Sequence, residues 1–211
     1  MLALACSTAP AGSSPVAPSN APATATAARF TAIPPVTPSA PATRTDRAVI
    51  LITPDCRAPA TPTTASTEGP YFKAGSPQKD SLVTADMPGT RLQLFGFVVT
   101  RSCAPLANAK VDVWQADANG NYDNAGYTLR GHIFTDKDGR YQIQTIVPGP
   151  YPGRTPHIHV KVTPPGGPEL TTQLYMPNVA SNASDGIFRP ELTLALNAPG
   201  LGVFTFILDR P

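Results

Sequence analysis

His157-Ile158-His159-Val160-Lys161-Val162 is an apolar run carrying two of the three histidines in a chain of 211 residues. Rich in β-branched residues, it reads as a β-strand. Side chains at i and i+2 of a strand point to one face, so the two imidazoles meet on the same side. That is a common way for a strand to hold a transition metal. Two histidines paired to neighbours on a half-buried strand would leave the same trace. The surroundings tip the reading toward a metal: Tyr151 lies six residues before His157, Arg154 three before it, and a second tyrosine, Tyr122, stands earlier in the chain.

Outward from this strand, the runs Leu92–Val99, Lys110–Asp117, His132–Thr135, Arg140–Val147, Thr171–Met176 and Val203–Leu208 also read as strands. Lys137-Asp138-Gly139 carries an Asp-Gly turn signal between two of them and predicts a hairpin. Val111, Val113 and Gln115 alternate with Asp112 and Trp114, so the two faces of that strand differ. No helical period with caps stands out. Seven short strands punctuated by Gly and Pro predict an all-β fold, an antiparallel β-sandwich or barrel. The stretch from Thr67 to Pro211, about 145 residues, is long enough to bury a proper core.

The first part of the chain has a different texture. Proline is abundant, 26 residues, and residues 1 to about 60 are mostly Ala, Pro, Thr and Ser. Such a segment has too few large apolar side chains to build a core, and proline blocks regular structure. Residues 1–55 are therefore expected to be a disordered tail or linker and residues 56–211 the folded domain, with Ala48–Ile52 a stray strand inside the tail. The net charge is +2 with 14% charged residues, and no basic patch interleaves with aromatics, so nucleic acid is not an expected partner. No apolar stretch reaches the roughly 18–20 residues of a membrane-spanning helix. Leu2-Ala-Leu-Ala-Cys6 resembles the end of a bacterial lipoprotein signal, which would make the protein exported and Cys6 a lipid anchor, although only five residues precede that cysteine. Cys56 and Cys103 have neither a CxxC partner nor a neighbouring histidine. A disulfide between them would pin the arriving linker to the first hairpin; two free thiols are the other option, one that exported proteins rarely leave exposed.

Several motifs occur in order: Thr67-Glu-Gly-Pro-Tyr-Phe72, Trp114 to Tyr122, Gly131 to Tyr141, Thr145 to Pro152, Arg154-Thr-Pro-His-Ile-His159 and Leu170-Thr-Thr-Gln-Leu-Tyr175. Together they resemble the intradiol ring-cleavage dioxygenases, the group of protocatechuate 3,4-dioxygenase and catechol 1,2-dioxygenase. The resemblance implies an all-β sandwich with long active-site loops and one mononuclear non-haem Fe(III) per chain. It implies Tyr122, Tyr151, His157 and His159 as the iron ligands. Two phenolates and a hydroxide would balance the three charges of the ion, and a catechol dianion would replace Tyr151 and the hydroxide, which accept the two substrate protons. The ring would then open between its hydroxyl-bearing carbons with O₂, giving a muconate-type dicarboxylic acid. Arg154 and Gln173 match residues beside the substrate, where a guanidinium would stabilise developing negative charge. Tyr71 is expected at the pocket mouth, or else as a surface-anchoring aromatic. His132 and Trp114 are read as structural.

Two departures bear on the substrate. The link between Tyr151 and Arg154 is short, where larger members carry a longer loop, and the N-terminal helical dimerisation segment of catechol 1,2-dioxygenases is missing. Both point to the compact, single-domain, often exported branch, with a more open site; a homodimer remains compatible with it. The competing reading is a non-catalytic transthyretin-like β-sandwich binding module displayed on a linker, since the Thr-Asp-x-Asp-Gly-x-Tyr motif occurs there too.

Overall fold

The computed structural model describes residues 52–210. Eight strands form two four-stranded sheets: β1 (Arg91–Thr100), β2 (Lys110–Gln115), β3 (Arg130–Phe134), β4 (Arg140–Ile146), β5 (His157–Thr163), β6 (Leu170–Tyr175), β7 (Ala195–Ala198) and β8 (Leu201–Leu208). One sheet runs β4-β1-β8-β7 and the other β3-β2-β5-β6. Helix is confined to two short 3₁₀ turns, Ala180–Ser184 and Pro190–Leu192. The all-β sandwich predicted from sequence is thus the fold, with one exception to its antiparallel pairing: β1 and β8 run parallel over Gln93–Thr100 and Leu201–Leu208.

Two expected hairpins are corrected. Gly139 does sit in a tight turn, with φ +71° and its amide donating to Asp136 O at 3.0 Å. The strands on either side, however, belong to different sheets, β3 pairing with β2 and β4 with β1. The Asp-Gly turn hands the chain across the sandwich. The turn at Cys103 does the same between β1 and β2. Local turn chemistry fixes the reversal; pairing is decided by which apolar faces must meet.

The core is the space between the sheets. Leu94 and Val98 of β1, Val111 and Val113 of β2, Ile143 of β4, Ile158, Val160 and Val162 of β5, Leu174 of β6 and Phe206 of β8 are all buried within it. Each such side chain contributes about 1.5–3 kcal/mol relative to exposure. Because β5 commits Ile158, Val160 and Val162 inward, the period of two sends His157, His159 and Lys161 to the outer face. Trp114 and Gln173 flank His159 directly across the ladder, on β2 and β6, and so share that face. The outer face is not open to water. The stretch before β1 covers it: Phe72 packs edge-on to Trp114 with centroids 4.9 Å apart, Ser76 Oγ donates to Asp112 at 2.8 Å, and Gln78 bridges to His132.

Residues before Thr67 also belong to this unit. Of the predicted stray strand Ala48–Ile52, only Ile52 is among the described residues, and it is not in a strand. Cys56 is disulfide-bonded to Cys103. From there the chain lies along both sheets: the Ala60 amide donates to Arg101 O, Thr63 to Ile207 O of β8, and Ser66 to Thr171 O of β6, at 2.8, 2.8 and 2.9 Å. β8 and β6 lie in different sheets, so this strap ties the two together while satisfying strand-edge groups that would otherwise be free. Cys6, the expected lipid anchor, lies outside the described residues.

Candidate metal centre and its aromatic surround

The histidines are fixed by the strand and by their own hydrogen bonds. His157 Nδ1 lies 2.6 Å from Thr155 O, so Nδ1 carries the hydrogen and Nε2 keeps its lone pair. That Nε2 is 3.1 Å from His159 Nε2 and 3.4 Å from the Tyr151 hydroxyl. Both imidazoles are buried. Burial pushes His157 down to about 4 and His159 well below the ordinary histidine value, leaving them neutral, the form that ligates a metal. Gly69 passes close by with φ +70°; a Cβ there would lie 3.1 Å from His159 Cε1, so this position favours glycine on two counts.

Tyr151 and Arg154 face each other because Tyr151-Pro152-Gly153-Arg154 is a four-residue turn. Proline presets the second position, Gly153 supplies φ +78° at the third, and the Arg154 amide donates to Tyr151 O at 2.9 Å. The Arg154 guanidinium is then divided among three partners. Nη1 donates to the Tyr151 hydroxyl at 3.2 Å, Nη2 to Gln173 Oε1 at 2.5 Å and Nε to Asp185 Oδ2 at 3.0 Å. Asp185 also accepts from the Thr155 amide. Although burial pushes its carboxyl up, amides of Thr155 and Ile187 and the Arg154 guanidinium hold it below the ordinary value. Gln173 Nε2 donates to Thr67 O at 2.8 Å, and the Tyr175 hydroxyl to Gln173 Oε1 at 3.1 Å.

Tyr122 arrives on the long β2–β3 connection, between two aspartate-capped turns. Asp117 Oδ1 accepts from the amides of Asn119 and Asn121, and Asp123 from those of Ala125, Gly126 and Thr128. The latter amides hold the Asp123 carboxyl well below the ordinary aspartate value. Tyr71 stacks on the Tyr122 ring at 4.3 Å and 16° and stands edge-on to Tyr151 at 6.0 Å. Trp114 stacks on His159 at 4.9 Å and 5°. Beside Tyr151 and Arg154, a hollow of about 260 Å³ opens toward Ser181 and Asp185.

Among the described residues, four buried side-chain polar atoms have no protein partner: Trp114 Nε1, Tyr122 Oη, Arg130 Nη2 and His159 Nδ1. Their residues form one connected cluster through the Trp114–His159 stack, the Tyr122–His159 contact and the Arg130 guanidinium 5.8 Å above the Tyr122 ring. Such atoms each cost about 1–3 kcal/mol, so their concentration in one place marks a site with a use. No group of three or more His, Cys, Asp or Glu side chains gathers among the described residues; the donors here are two imidazoles and two phenols. That set fits a ferric ion. The imidazoles are neutral with two nitrogens converging, the Tyr122 oxygen is buried without a donor or acceptor, and burial raises both phenols above their ordinary value, a cost that a highly charged cation would reverse.

Residues 67–195 match the family model described as Dioxygenase. The chain belongs to the intradiol ring-cleavage dioxygenase family. Among curated members of the family, it is 30% identical to chlorocatechol 1,2-dioxygenase of Rhodococcus opacus over 168 residues, covering 64% of this chain and 65% of that protein. It is 35% identical to catechol 1,2-dioxygenase 2 of Acinetobacter lwoffii over 133 residues, 51% of this chain and 48% of that one. The chain thus spans about half to two thirds of these relatives. Among solved structures, the dioxygenase domain of a dioxygenase–carbohydrate-binding fusion from Streptomyces sp. SirexAA-E superposes with a TM-score of 0.69 at 49% identity, covering 72% of this chain and all of that one. The 3-chlorocatechol 1,2-dioxygenase of Rhodococcus opacus 1CP follows the same fold with a TM-score of 0.65 at 33% identity, over 71% of this chain and 73% of that one.

Every residue that the sequence singled out for this family site lies within the cluster: Tyr71, Tyr122, Tyr151, Arg154, His157, His159 and Gln173. His132 does not; its Nδ1 lies 3.0 Å from Ser76 Oγ. Sequence reasoning missed Asp185 and Tyr175, which position Arg154 and Gln173, and Arg130, which touches Tyr122. Trp114 is buried as expected, yet it stacks on a histidine of the site. Its position opposite His159 was readable only once strand register was known.

Proposed function

We propose that this chain cleaves a catechol-type ring between its two hydroxyl-bearing carbons, incorporating both atoms of O₂ to give a muconate-type dicarboxylic acid. The observation that carries the reading is the convergence of His159 Nε2 and the Tyr151 hydroxyl on His157 Nε2, at 3.1 and 3.4 Å, with the Tyr122 ring beside those of Tyr151 and His159 and its hydroxyl buried without a partner. These four residues would hold one Fe(III). When bound, that ion supplies Lewis acidity that keeps phenols ionised and makes a bound catecholate reactive toward O₂. Support for catechol-type substrates comes from the catechol and chlorocatechol 1,2-dioxygenases to which the chain is similar.

The chain's own residues then divide the work. Tyr151 Oη, on a turn at the rim, is the base that takes a proton from an arriving catechol hydroxyl. Tyr122, half-buried with its hydroxyl out of solvent and its ring stacked on Tyr71, stays in place. Arg154 Nη1, already 3.2 Å from Tyr151 Oη, faces the negative charge that develops on substrate oxygen. Gln173 and Asp185 hold that guanidinium in one orientation. Tyr71 walls the side of the pocket next to Tyr122. The bond between Cys56 and Cys103 further supports an oxidising, exported setting, which fractionation of the producing cell would test.

The experiment is iron analysis combined with oxygen uptake. Protein produced with ample iron should hold close to one iron per chain, be reddish from phenolate-to-iron charge transfer, and consume O₂ with at least one of catechol, protocatechuate, hydroxyquinol, or an alkyl- or chloro-catechol, without added reductant. Iron-loaded protein that consumes no O₂ with any of them would leave only the binding-module reading.

A further inference from the structure

Among the described residues Arg130 is the one arginine that is almost wholly buried, at 1% exposure, and it forms no ion pair there. Burying a guanidinium is costly unless its donors are used. Two of them are spent on backbone carbonyls far apart in sequence: Nη1 donates to Tyr71 O at 2.6 Å and Nε to Asp123 O at 2.9 Å. These are the carbonyls of the ring that stacks on Tyr122 and of the residue directly after Tyr122. The guanidinium carbon itself stands 5.8 Å from the centre of the Tyr122 ring. One rigid, planar cation thus holds both sides of the Tyr71–Tyr122 stack. It does so from β3, a strand locked to β2 by the Trp114–Arg130 pair, while Trp114 stacks on His159. The remaining donor, Nη2, is buried without a protein partner.

We propose that Arg130 is a positioning residue for the metal centre: it fixes the angle and depth at which the Tyr122 oxygen faces the two histidines. The inference rests on the iron reading of the site given above. Lysine cannot replace it, because a single ammonium on a flexible stem cannot donate in the fixed fork that meets both carbonyls at once. The role differs from that of Arg154, whose guanidinium faces the substrate side of the site. Arg130 meets no substrate.

The test compares wild type with Arg130→Lys and Tyr71→Leu, the second of which removes the stacked ring but leaves the carbonyl that Arg130 holds. Three quantities are measured: thermal unfolding of the iron-free proteins, the visible phenolate-to-iron band after loading, and kcat separately from KM with the best wild-type substrate. The expected result is that both variants fold. Their band then shifts or weakens, because Tyr122 is no longer held at its wild-type angle. Iron affinity or kcat falls about 10- to 100-fold, the usual cost of losing support behind a metal ligand. Tyr71→Leu gives the same spectral shift as Arg130→Lys. Folded Arg130→Lys with the wild-type band, iron affinity and kcat overturns the proposal. So does an Arg130→Lys that fails to fold while Tyr71→Leu keeps the wild-type band, since the arginine would then serve the fold alone. Wild-type protein that takes up no iron overturns the iron reading itself and is recognised before any variant is compared.

Discussion

A side chain shared among several partners is where a single substitution does most. Arg154 serves Tyr151, Gln173 and Asp185 together, and the Asp185 side chain is only 2% exposed. Arg154→Ala would leave that carboxylate buried with backbone amides alone. The expected loss is about 3–5 kcal/mol of stability, the usual cost of breaking a buried pair from one side. The rate should fall about 10²–10³-fold, the range for losing one preorganised charge-stabilising donor, with iron retained. Denaturant unfolding and steady-state kinetics on iron-loaded protein check the two parts. Tyr151→Phe is a milder change. Iron should stay, held by Tyr122 and the histidines, while catechol binding slows because Oη no longer takes its proton; stopped-flow mixing reads this directly. The four proposed iron ligands could be picked out because a His-x-His strand and motif tyrosines leave a trace in sequence. Asp185 left none, because it reaches the site from a loop that no period marks. Tyr175 closes a quoted motif two residues after Gln173 on the same strand face, yet nothing in that motif gave it a role.

At the scale of elements, the strap from Cys56 to Thr67 is the part that strand patterning overlooked. It has no alternation to read, being rich in Pro, Thr and Ala, yet it hydrogen-bonds to one strand in each sheet. Its disulfide closes a loop across 47 positions, which on the chain-entropy account stabilises by about 4 kcal/mol. Reduction should lower the unfolding free energy by about that amount, measured by denaturant titration with and without reductant. β7 was missed for a related reason: Ala195-Leu196-Asn197-Ala198 is an exposed edge with Leu196 52% exposed, so no buried face shaped its sequence. The hairpin expected at Asp138-Gly139 shows the converse, a clear turn signal that says nothing about which sheet the next strand joins.

At the scale of the molecule, the outer face beside the histidines also carries ion pairs. Lys161, next along the histidine face of β5, pairs with Glu68 at 2.7 Å and Glu169 at 2.8 Å. Burial pushes Glu169 up, but hydrogen bonds from Lys161 and Thr163 outweigh it and hold the carboxyl below its ordinary value of 4.5. A carboxyl so lowered contributes stability that is fully present above 4.5 and fades as pH falls through the folded value. Glu169→Gln should therefore weaken the protein at neutral pH and flatten its stability profile below about pH 4.5, read by thermal unfolding across pH. The full extent of the folded unit is tested by shortening the chain. A protein beginning at Cys56 should keep fold and iron, whereas one beginning at Thr67 loses the disulfide and the bonds to Arg101, Ile207 and Thr171. Unfolding of the Cys56 form would show that residues 1–55 support the domain.

Trp114 lies flat against His159, and it is the only tryptophan in the chain. All indole fluorescence therefore comes from one ring in contact with a proposed iron ligand. Ferric iron arriving at His159 should quench that emission, and a chelator should restore it, stoichiometrically and without any substrate present. The protein carries its own optical gauge of metal occupancy, usable with purified protein and in every variant that keeps this stack.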